Sequence, residues 1–308
     1  MDQHRTIDML AVGGVDIDLV LTMDRLPSFD EKVMGTLVGR LPGGPAANAA
    51  CAASRLGLQV ASFSSVGDDP AGQIVIEDFK RFGVDTSLME VCANAETTFT
   101  VILIDPTGEK AIVVVPTFTA EPRLEVAATV LPKTRMLYMM PQDHAHFKAL
   151  AQLAHQHGAE VMIDMERTVE ADSTSVERIL VNTDIASFNR DGFYAVTGEE
   201  PSVVAAQRLL AYGPHTVVVT HGARGSLAVT AHDIAEWPGY HVQTVDSTGA
   251  GDTFNAAFLW GTLRGASLVE RLGFANAAAA IAVTGMGPRG MLPTEVEVRN
   301  FLSIHTNS

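Results

Sequence analysis

Hydrophobic spacing changes character along the chain. Residues 7–12 form a short apolar run closed by Gly13-Gly14, which predicts a core strand and a turn. Residues 17–22 and 33–39 alternate apolar with polar positions, as strands with one wet face do. An Ala-rich helix is predicted after Gly43-Gly44-Pro45, ending near Gly57. Residues 59–66 read as a strand, and a helix follows from Asp69-Pro70 to Phe82-Gly83. Residues 97–104 and 110–115 flank Asp105-Pro106-Thr107-Gly108 and read as a hairpin. With 17–39 they can build a small separate sheet. Beyond this point strands are predicted at 136–140, 161–164, 185–188, 216–220 and 226–230. Helical segments such as 144–157 and 202–212 lie between the earlier ones. Strand–helix alternation implies a mostly parallel sheet with helices on both faces.

Composition narrows the function classes. At 308 residues and 47% hydrophobic, the chain can bury a large core as one α/β domain or two smaller ones. A formal net charge of −15 argues against non-specific binding to nucleic acid or an anionic membrane. Cys51 and Cys92 offer neither metal spacing nor a disulfide framework, which points to a reduced compartment with Cys51 buried. The first eight residues lack the basic-then-apolar pattern of a signal peptide. Residues 272–288 are uncharged but read as a buried Ala-rich helix and a loop. The expected location is the cytoplasm.

The richest stretch is Val245-Asp246-Ser247-Thr248-Gly249-Ala250-Gly251-Asp252-Thr253-Phe254-Asn255. A strand is predicted before it at 240–245 and a helix after it at 252–263. Amide hydrogens at a helix start lack intrahelical partners, and with the helix dipole they form an anion site. Asp252 in the same turn can accept a proton from a hydroxyl held against a phosphate. Taken alone, a Gly-x-Gly-Asp is equally a tight turn with an N-cap.

The longer string resembles the C-terminal signature of the ribokinase/PfkB family of carbohydrate kinases, usually Asp-Thr-x-Gly-Ala-Gly-Asp, from which only Ser247 departs. The resemblance implies Asp252 as the catalytic base and the Gly249, Ala250 and Gly251 amides as the anion hole. The helix terminus is expected to keep Asp252 ionised at neutral pH. Gly43-Gly44-Pro45-Ala46-Ala47-Asn48, alone a loop and a helical Asn, is similar to the family's sugar-contact motif. It implies that Gly43, Gly44 and Asn48 hold the acceptor. Asp18 matches an N-terminal Asp that accepts from sugar hydroxyls, and Asp16 and Gln142 take the places of two further sugar contacts.

Thr220, Gly222 and Gly225 resemble the nucleotide loop, and Asn276 matches a position lining the adenine pocket. Asp246 and Thr248 match a loop that holds a monovalent cation, typically potassium, in many relatives. The residues leave that site open, as they do the carbonyls of 283–290 as its other ligands. Asn189-Arg190-Asp191-Gly192 departs from the family's Asn-x-x-Glu: Asn189 is present, Gly192 stands where the Glu belongs, and Asp191 is one residue off in register. Magnesium is expected as the companion of ATP.

The whole chain, 1–308, is read as one ribokinase-like domain. It has a doubly wound, mostly parallel sheet flanked by helices, and a small β-sheet lid drawn from about 15–40 and 95–117. The implied activity is ATP-dependent phosphorylation of a sugar or sugar-like hydroxyl. Lid sheets of relatives often pair between subunits, which suggests a homodimer. Asp164-Met165-Glu166-Arg167, with Arg167 as an anion contact or a partner of Glu166, and Gly192 are similar to ketose-phosphorylating members such as ketohexokinase and sulfofructose kinase. A nucleoside acceptor over Phe99, Val101 and Phe118, or a sugar-binding regulator without turnover, are the alternatives. His144/His146 and His155/His157 are two apart on a helix and share no face, so a metal site is not expected there. No Gly-x-x-x-x-Gly-Lys-Ser/Thr loop occurs, and no Gly-x-Gly-x-x-Gly follows the first strand.

Overall fold

The computed structural model describes residues 5–118, 123–141, 144–166 and 173–305. In chain order its strands are β1 (Ile7–Val12), β2 (Asp16–Met23), β3 (Gly35–Gly43), β4 (Val60–Phe63), β5 (Ser65–Gly67), β6 (Glu90–Cys92) and β7 (Phe99–Ile104). They continue with β8 (Lys110–Val115), β9 (Thr134–Met139), β10 (Glu160–Met165), β11 (Ile185–Asn189), β12 (Thr216–Thr220), β13 (Ser226–Thr230) and β14 (Ile234–Trp237). The helices are α1 (Pro45–Arg55), α2 (Pro70–Phe82), α3 (Leu124–Val130), α4 (His144–Gln156) and α5 (Ser173–Leu180). After them come α6 (Arg190–Thr197), α7 (Val203–Leu209), α8 (Ala250–Leu263), α9 (Leu268–Ala282) and α10 (Glu295–His305).

Eight strands form the main sheet in the order β14-β13-β12-β11-β10-β9-β1-β4. The six from β12 to β4 are parallel, and β13 and β14 are antiparallel at one edge. Successive side chains of a strand point to opposite faces. Met9, Ala11, Met136 and Tyr138 therefore pack with Ala50, Phe258 and Ala277 on one face. Leu10, Leu137 and Ile163 pack with Phe147, Ile179 and Phe193 on the other. Burying a side chain such as Phe258 or Leu259 is worth roughly 1.5–3 kcal/mol. From β1 the chain passes to β4 on one side and later to β9 on the other. The sheet order thus reverses beside β1, and ligands of such sheets bind at the carboxyl ends near that point.

A second sheet has the order β3-β2-β7-β8. β2 is antiparallel to β3 and parallel to β7, with an irregularity at Val20/Leu21. Among the described residues, no helix is long and apolar enough to cross a membrane.

Two sequence readings need correction. Residues 59–66 are not one strand. Ser64 separates β4, which belongs to the main sheet, from β5, which pairs with β6. Residues 240–245 form no strand at all; β14 occupies the sheet edge instead. Tyr240 packs on a helix, meeting Phe301 of α10 edge-on with ring centroids 5.0 Å apart. Trp237 Nε1 donates to the Tyr240 hydroxyl at 3.1 Å, which pins this loop behind the sheet edge.

Candidate active site

β2 places Asp16 and Asp18 on one face. The parallel register with β7 sets Thr100 opposite Asp18, and the Thr100 hydroxyl donates to Asp16 Oδ2 at 3.2 Å. Gly43 ends β3 opposite Asp16. A Cβ at Gly43 would lie 2.4 Å from both Asp16 Oδ1 and Asp18 Oδ2, so any side chain would displace both carboxylates. Gly44 has φ +91°, and its Cβ would sit 2.5 Å from the Gly14 carbonyl oxygen. α1 starts at the next residue and carries Asn48, buried, in its first turn.

Asn48 Nδ2 donates to Asp252 Oδ2 at 2.8 Å, and Asn48 Oδ1 accepts from Arg289 Nε at 2.9 Å. Both ends of the amide are therefore fixed. Arg289 also donates to the Gly43 carbonyl at 3.0 Å and pairs with Asp78 on α2. Sequence reasoning did not single out Arg289, which lies 241 residues from Asn48.

Burial pushes the Asp18 carboxyl up to about 7; the neighbouring Asp16 adds to this, and Arg289 and Lys110 oppose it. Burial also raises Asp16, against the Thr100 hydrogen bond and the Arg289 charge. Asp16 Oδ1 is buried and has no hydrogen-bond partner among the described residues. An acceptor oxygen of this kind calls for a donor such as a ligand hydroxyl.

α8 begins two residues earlier than the sequence implied, at Ala250, with Gly249 as a left-handed N-cap at φ 77°. A Cβ on Gly249 would meet the Pro288 carbonyl oxygen at 2.7 Å. Among the described residues, the N–H groups of Gly249, Gly251 and Asp252 find no acceptor, whereas the Ala250 N–H donates to Ser247 O at 3.3 Å. The free amides at the turn are thus those of Gly249, Gly251 and Asp252 rather than Ala250.

Asp252 itself is buried. Burial drives its carboxyl up to about 7; the Asn48 hydrogen bond and Arg289 lower it, and Glu166 and Asp16 raise it. The sequence predicts that the helix terminus keeps Asp252 ionised; with its carboxyl at about 7 it is only about half ionised at neutral pH. Such a terminus is worth about 0.3–1 kcal/mol at the surface and up to about 2 kcal/mol where partly buried, roughly one and a half pKa units at most, against a rise from 3.8 to about 7. Burial outweighs it.

One turn further along α8, Asn255 holds a second buried network. Ser187 Oγ donates to Asn255 Oδ1 at 2.6 Å, and Asn255 Nδ2 donates to Asp164 Oδ2 at 2.8 Å and to the Tyr138 hydroxyl at 3.3 Å. Asp164, fully enclosed, is held well above the usual carboxylate range by burial. These residues tie α8 to β9, β10 and β11 and so fix where Asp252 points.

Two cavities meet at this helix start, sharing Thr220, Gly222, Ser247 and Gly251. The first, about 290 Å³, is walled largely by apolar groups of Phe254, Ala279, Ala280 and Val283, with Gly225 and Asn276 also lining it. Asn276 Nδ2 donates to Ser226 Oγ at 2.6 Å and Leu272 O at 2.8 Å, which anchors its amide. The second, about 480 Å³, is lined by Glu166, Asn189, Asp191, Gly249 and Asp252. Glu166, Asn189 and Thr220 all stand at carboxyl ends of β10, β11 and β12. Burial raises the Glu166 carboxyl.

Asn189 caps α6 by accepting from the Gly192 N–H at 2.7 Å. A Cβ on Gly192 would lie 2.1 Å from the Met165 carbonyl oxygen, so packing here excludes the Glu that the family pattern carries.

Asp246 and Thr248 are brought together, with a partner the sequence did not suggest. Lys110 Nζ, at the start of β8, donates to Asp246 Oδ1 at 2.8 Å and also to Thr248 Oγ1. Burial alone would raise the Asp246 carboxyl; the Lys110 and Thr248 hydrogen bonds hold it at about 2. Gln142 and Arg167 lie outside the described residues. No group of three or more His, Cys, Asp or Glu side chains converges on a metal position among the described residues.

The arrangement is that of a ribokinase-like α/β phosphotransferase: a doubly wound sheet, an amide-lined helix start at its carboxyl edge, and buried carboxylates facing it from a small second sheet. Residues 7–295 match the pfkB family carbohydrate kinase model, and the chain belongs to that family. It is 30% identical over 303 residues to the ribokinase of Bacillus subtilis, covering 96% of this chain and 99% of the relative. It is 30% identical over 329 residues to the 5-dehydro-2-deoxygluconokinase of Clostridium perfringens, covering 98% and 94%. In fold it is similar to the Arabidopsis thaliana ribokinase complexed with ribose and ATP, at a TM-score of 0.83 and 24% identity over 96% of this chain and 99% of that one. The chain is a carbohydrate kinase.

Proposed function

We propose that this kinase transfers the γ-phosphoryl group of ATP to a hydroxyl of a sugar or sugar-like acceptor, with Asp252 as the base. The carrying observation is the position of Asp252. It lines the polar cavity beside free helix-start amides and is hydrogen-bonded to Asn48, which stands with Gly43, Asp16 and Asp18. Asp16 and Asp18 accept from acceptor hydroxyls, with Gly43 and Gly44 allowing close approach. Asp252 accepts the proton of the attacking hydroxyl, the new oxygen–phosphorus bond forms, and the bond to the ADP oxygen breaks. A carboxyl with a pKa near 7 suits a base working near neutrality. The Gly249, Gly251 and Asp252 amides face the transferred group, whose charge they stabilise.

Adenine occupies the apolar cavity beside Asn276, and the phosphates run past Thr220, Gly222 and Gly225 into the polar one. Glu166, Asn189 and Asp191 are the oxygen donors that would hold a nucleotide-bound magnesium ion, and their chemistry fits a hard cation that keeps several waters. Such an ion supplies charge neutralisation on the phosphates.

The chain acts as one unit in which the small sheet is the lid over the acceptor. Its exposed Leu37, Val38, Ile112, Val113 and Val114 are the surface through which two copies pair; a monomer by sedimentation at micromolar concentration would end that part of the reading. Strand alternation on β7 weighs against a nucleoside pocket at two of the three residues named for it, Phe118 lying beyond β8. Phe99 and Val101 lie on the face of β7 opposite Thr100, away from Asp16 and Asp18.

The test is ADP release from magnesium ATP across ribose, other aldoses, ketoses, 5-dehydro-2-deoxygluconate and nucleosides. One strong sugar or sugar-acid acceptor is expected. Binding of ATP and of a sugar, with ATP turnover for none of these acceptors, would overturn the proposal in favour of a sugar-binding regulator.

A further inference from the structure

The sequence leaves a monovalent cation site open at Asp246 and Thr248, and the geometry of these side chains tests whether they fit one. Asp246 Oδ1 accepts from Lys110 Nζ at 2.8 Å, from the Thr248 N–H at 3.0 Å and from the Thr248 hydroxyl at 2.7 Å. Asp246 Oδ2 accepts from the Gly287 N–H at 3.0 Å. The Thr248 hydroxyl, donating to Asp246, turns its lone pairs to Lys110. The Val283 carbonyl, another oxygen of this region, accepts from the Val245 and Asp246 N–H groups at 2.8 and 3.2 Å. Asp246 Oδ1 is saturated by three donors, Oδ2 and the Val283 carbonyl already hold N–H donors, and a full positive charge rests on Asp246 and Thr248 where a monovalent ion would sit. They do not fit an additional cation.

We propose that the Lys110 ammonium is itself the cation of this site. The small sheet delivers it, so the anion-hole turn is organised by a charge of the protein's own and needs no monovalent metal ion.

Three observations carry the assignment. First, the contact crosses between the two sheets: Lys110 opens β8 of the small one, and Asp246 lies 136 residues away beside the main one. Second, the ion pair is sheltered, with the side chains 25% and 15% exposed. It is therefore screened less than a surface pair. Third, Asp246 is tied to both walls of the turn. Thr248 precedes Gly249, whose position against the Pro288 carbonyl leaves no room for a Cβ, and Gly287 precedes Pro288. An ammonium on Asp246 and Thr248 thus braces the segment that presents the free amides. The same charge favours ionisation of Asp18 on the acceptor side. Docking of the small sheet and organisation of the hole become one event.

The turnover readout of this inference rests on the kinase reading above; its binding readout does not. Wild-type protein and Lys110→Met are compared in buffers whose sole monovalent cation is choline, sodium, potassium or ammonium. ADP formation with the accepted sugar is measured. In parallel, the affinity for a magnesium-bound, non-hydrolysable ATP analogue is measured by titration, with no acceptor present. Wild type is expected to perform equally in choline and potassium. Lys110→Met is expected to lose roughly tenfold in choline, the scale of one charge-assisted contact, and to recover in potassium or ammonium as the ion takes the vacated place.

A wild type stimulated severalfold by potassium would overturn the assignment, as would a Met variant unaffected in choline or one that no ion repairs. The wild-type comparison needs no mutation, so a variant that fails to fold leaves it decisive. If no acceptor is phosphorylated, the kinase reading fails while the nucleotide titration still decides on Lys110.

Discussion

Replacing Asp252 with Asn should abolish most turnover and, at the same time, make the protein more stable at alkaline pH. The structure gives the size of the second effect. Burial raises the Asp252 carboxyl from 3.8 to about 7. A group whose folded pKa lies above its unfolded one contributes stability that is fully present below the unfolded value and is lost as pH rises through the folded one. Each unit of pKa difference corresponds to 1.36 kcal/mol. The wild type should therefore carry a penalty of about 0.5 kcal/mol at pH 4, about 2 kcal/mol at pH 5.5 and about 4 kcal/mol at pH 8. The Asn side chain keeps an oxygen for Asn48 Nδ2 and carries no charge to bury, so the variant escapes this penalty. Urea unfolding of both proteins at these pH values reads it directly, and the stability advantage of Asp252→Asn should widen with pH. In the same variant turnover should fall by roughly 10²–10⁴, the usual share of general-base catalysis. In the wild type, turnover should rise with pH through about 7 if Asp252 is the base as proposed, since only its ionised form can accept the proton. An Asn variant no more stable than wild type at pH 8 would refute the reasoning, since the carboxylate would then be adequately solvated where it stands.

Two further substitutions probe the surroundings. Arg289→Met leaves Asp78, whose side chain is only 13% exposed, with Arg81 at 4.0 Å as its remaining cation; unfolding stability should drop, by less than the roughly 3–5 kcal/mol of a wholly unpaired buried charge, and adding Asp78→Asn should restore much of it. Gly192→Glu restores the family pattern in sequence, but its Cβ would lie 2.1 Å from the Met165 carbonyl oxygen. A lower melting temperature is expected, with destabilisation of about 1–3 kcal/mol and no gain in turnover; a variant as stable as wild type would show that β10 yields here.

The parts of this protein that could be read from its sequence are those whose chemistry is local. Gly249-Ala250-Gly251-Asp252 and Gly43-Gly44 announce a turn, a helix start and close backbone approach within a few residues, and the structure gives each a steric reason. The parallel strands of the main sheet were legible because buried parallel strands are short continuous apolar runs, whereas the edge strand β14 was not foreseen. Residues 240–245 show the limit of that signal. An apolar, alternating segment has the same pattern whether a strand or a pair of helices covers it, and here Phe301 does. Ser64 is a similar case, since the break between β4 and β5 depends on pairing with β6. Arg289, Lys110 and Asn255 were not legible because their roles are contacts over 241, 136 and 91 residues. Nothing near them in the chain distinguishes a buried Arg or a latching Lys from a solvated one.

The Asp252 carboxyl adds a different lesson, about magnitude. Sequence shows the helix start that favours its charge but not the enclosure that opposes it, and enclosure is the larger effect. The same enclosure makes the site cohere. Asp16, Asp18 and Asp252 are acidic groups withdrawn from water near one another, within the influence of the Arg289 charge, with Lys110 acting on Asp18 as well. Each cation is anchored outside the cluster, Arg289 by Asp78 and Lys110 by Asp246, so neither is free to neutralise a carboxylate outright. Asp16 Oδ1 is left without a hydrogen-bond donor among the described residues, and an acceptor rich in hydroxyls supplies donors. On the proposed mechanism, acceptor binding at Asp16 and the readiness of Asp252 as base would then be coupled through the charges these buried carboxyls exert on one another.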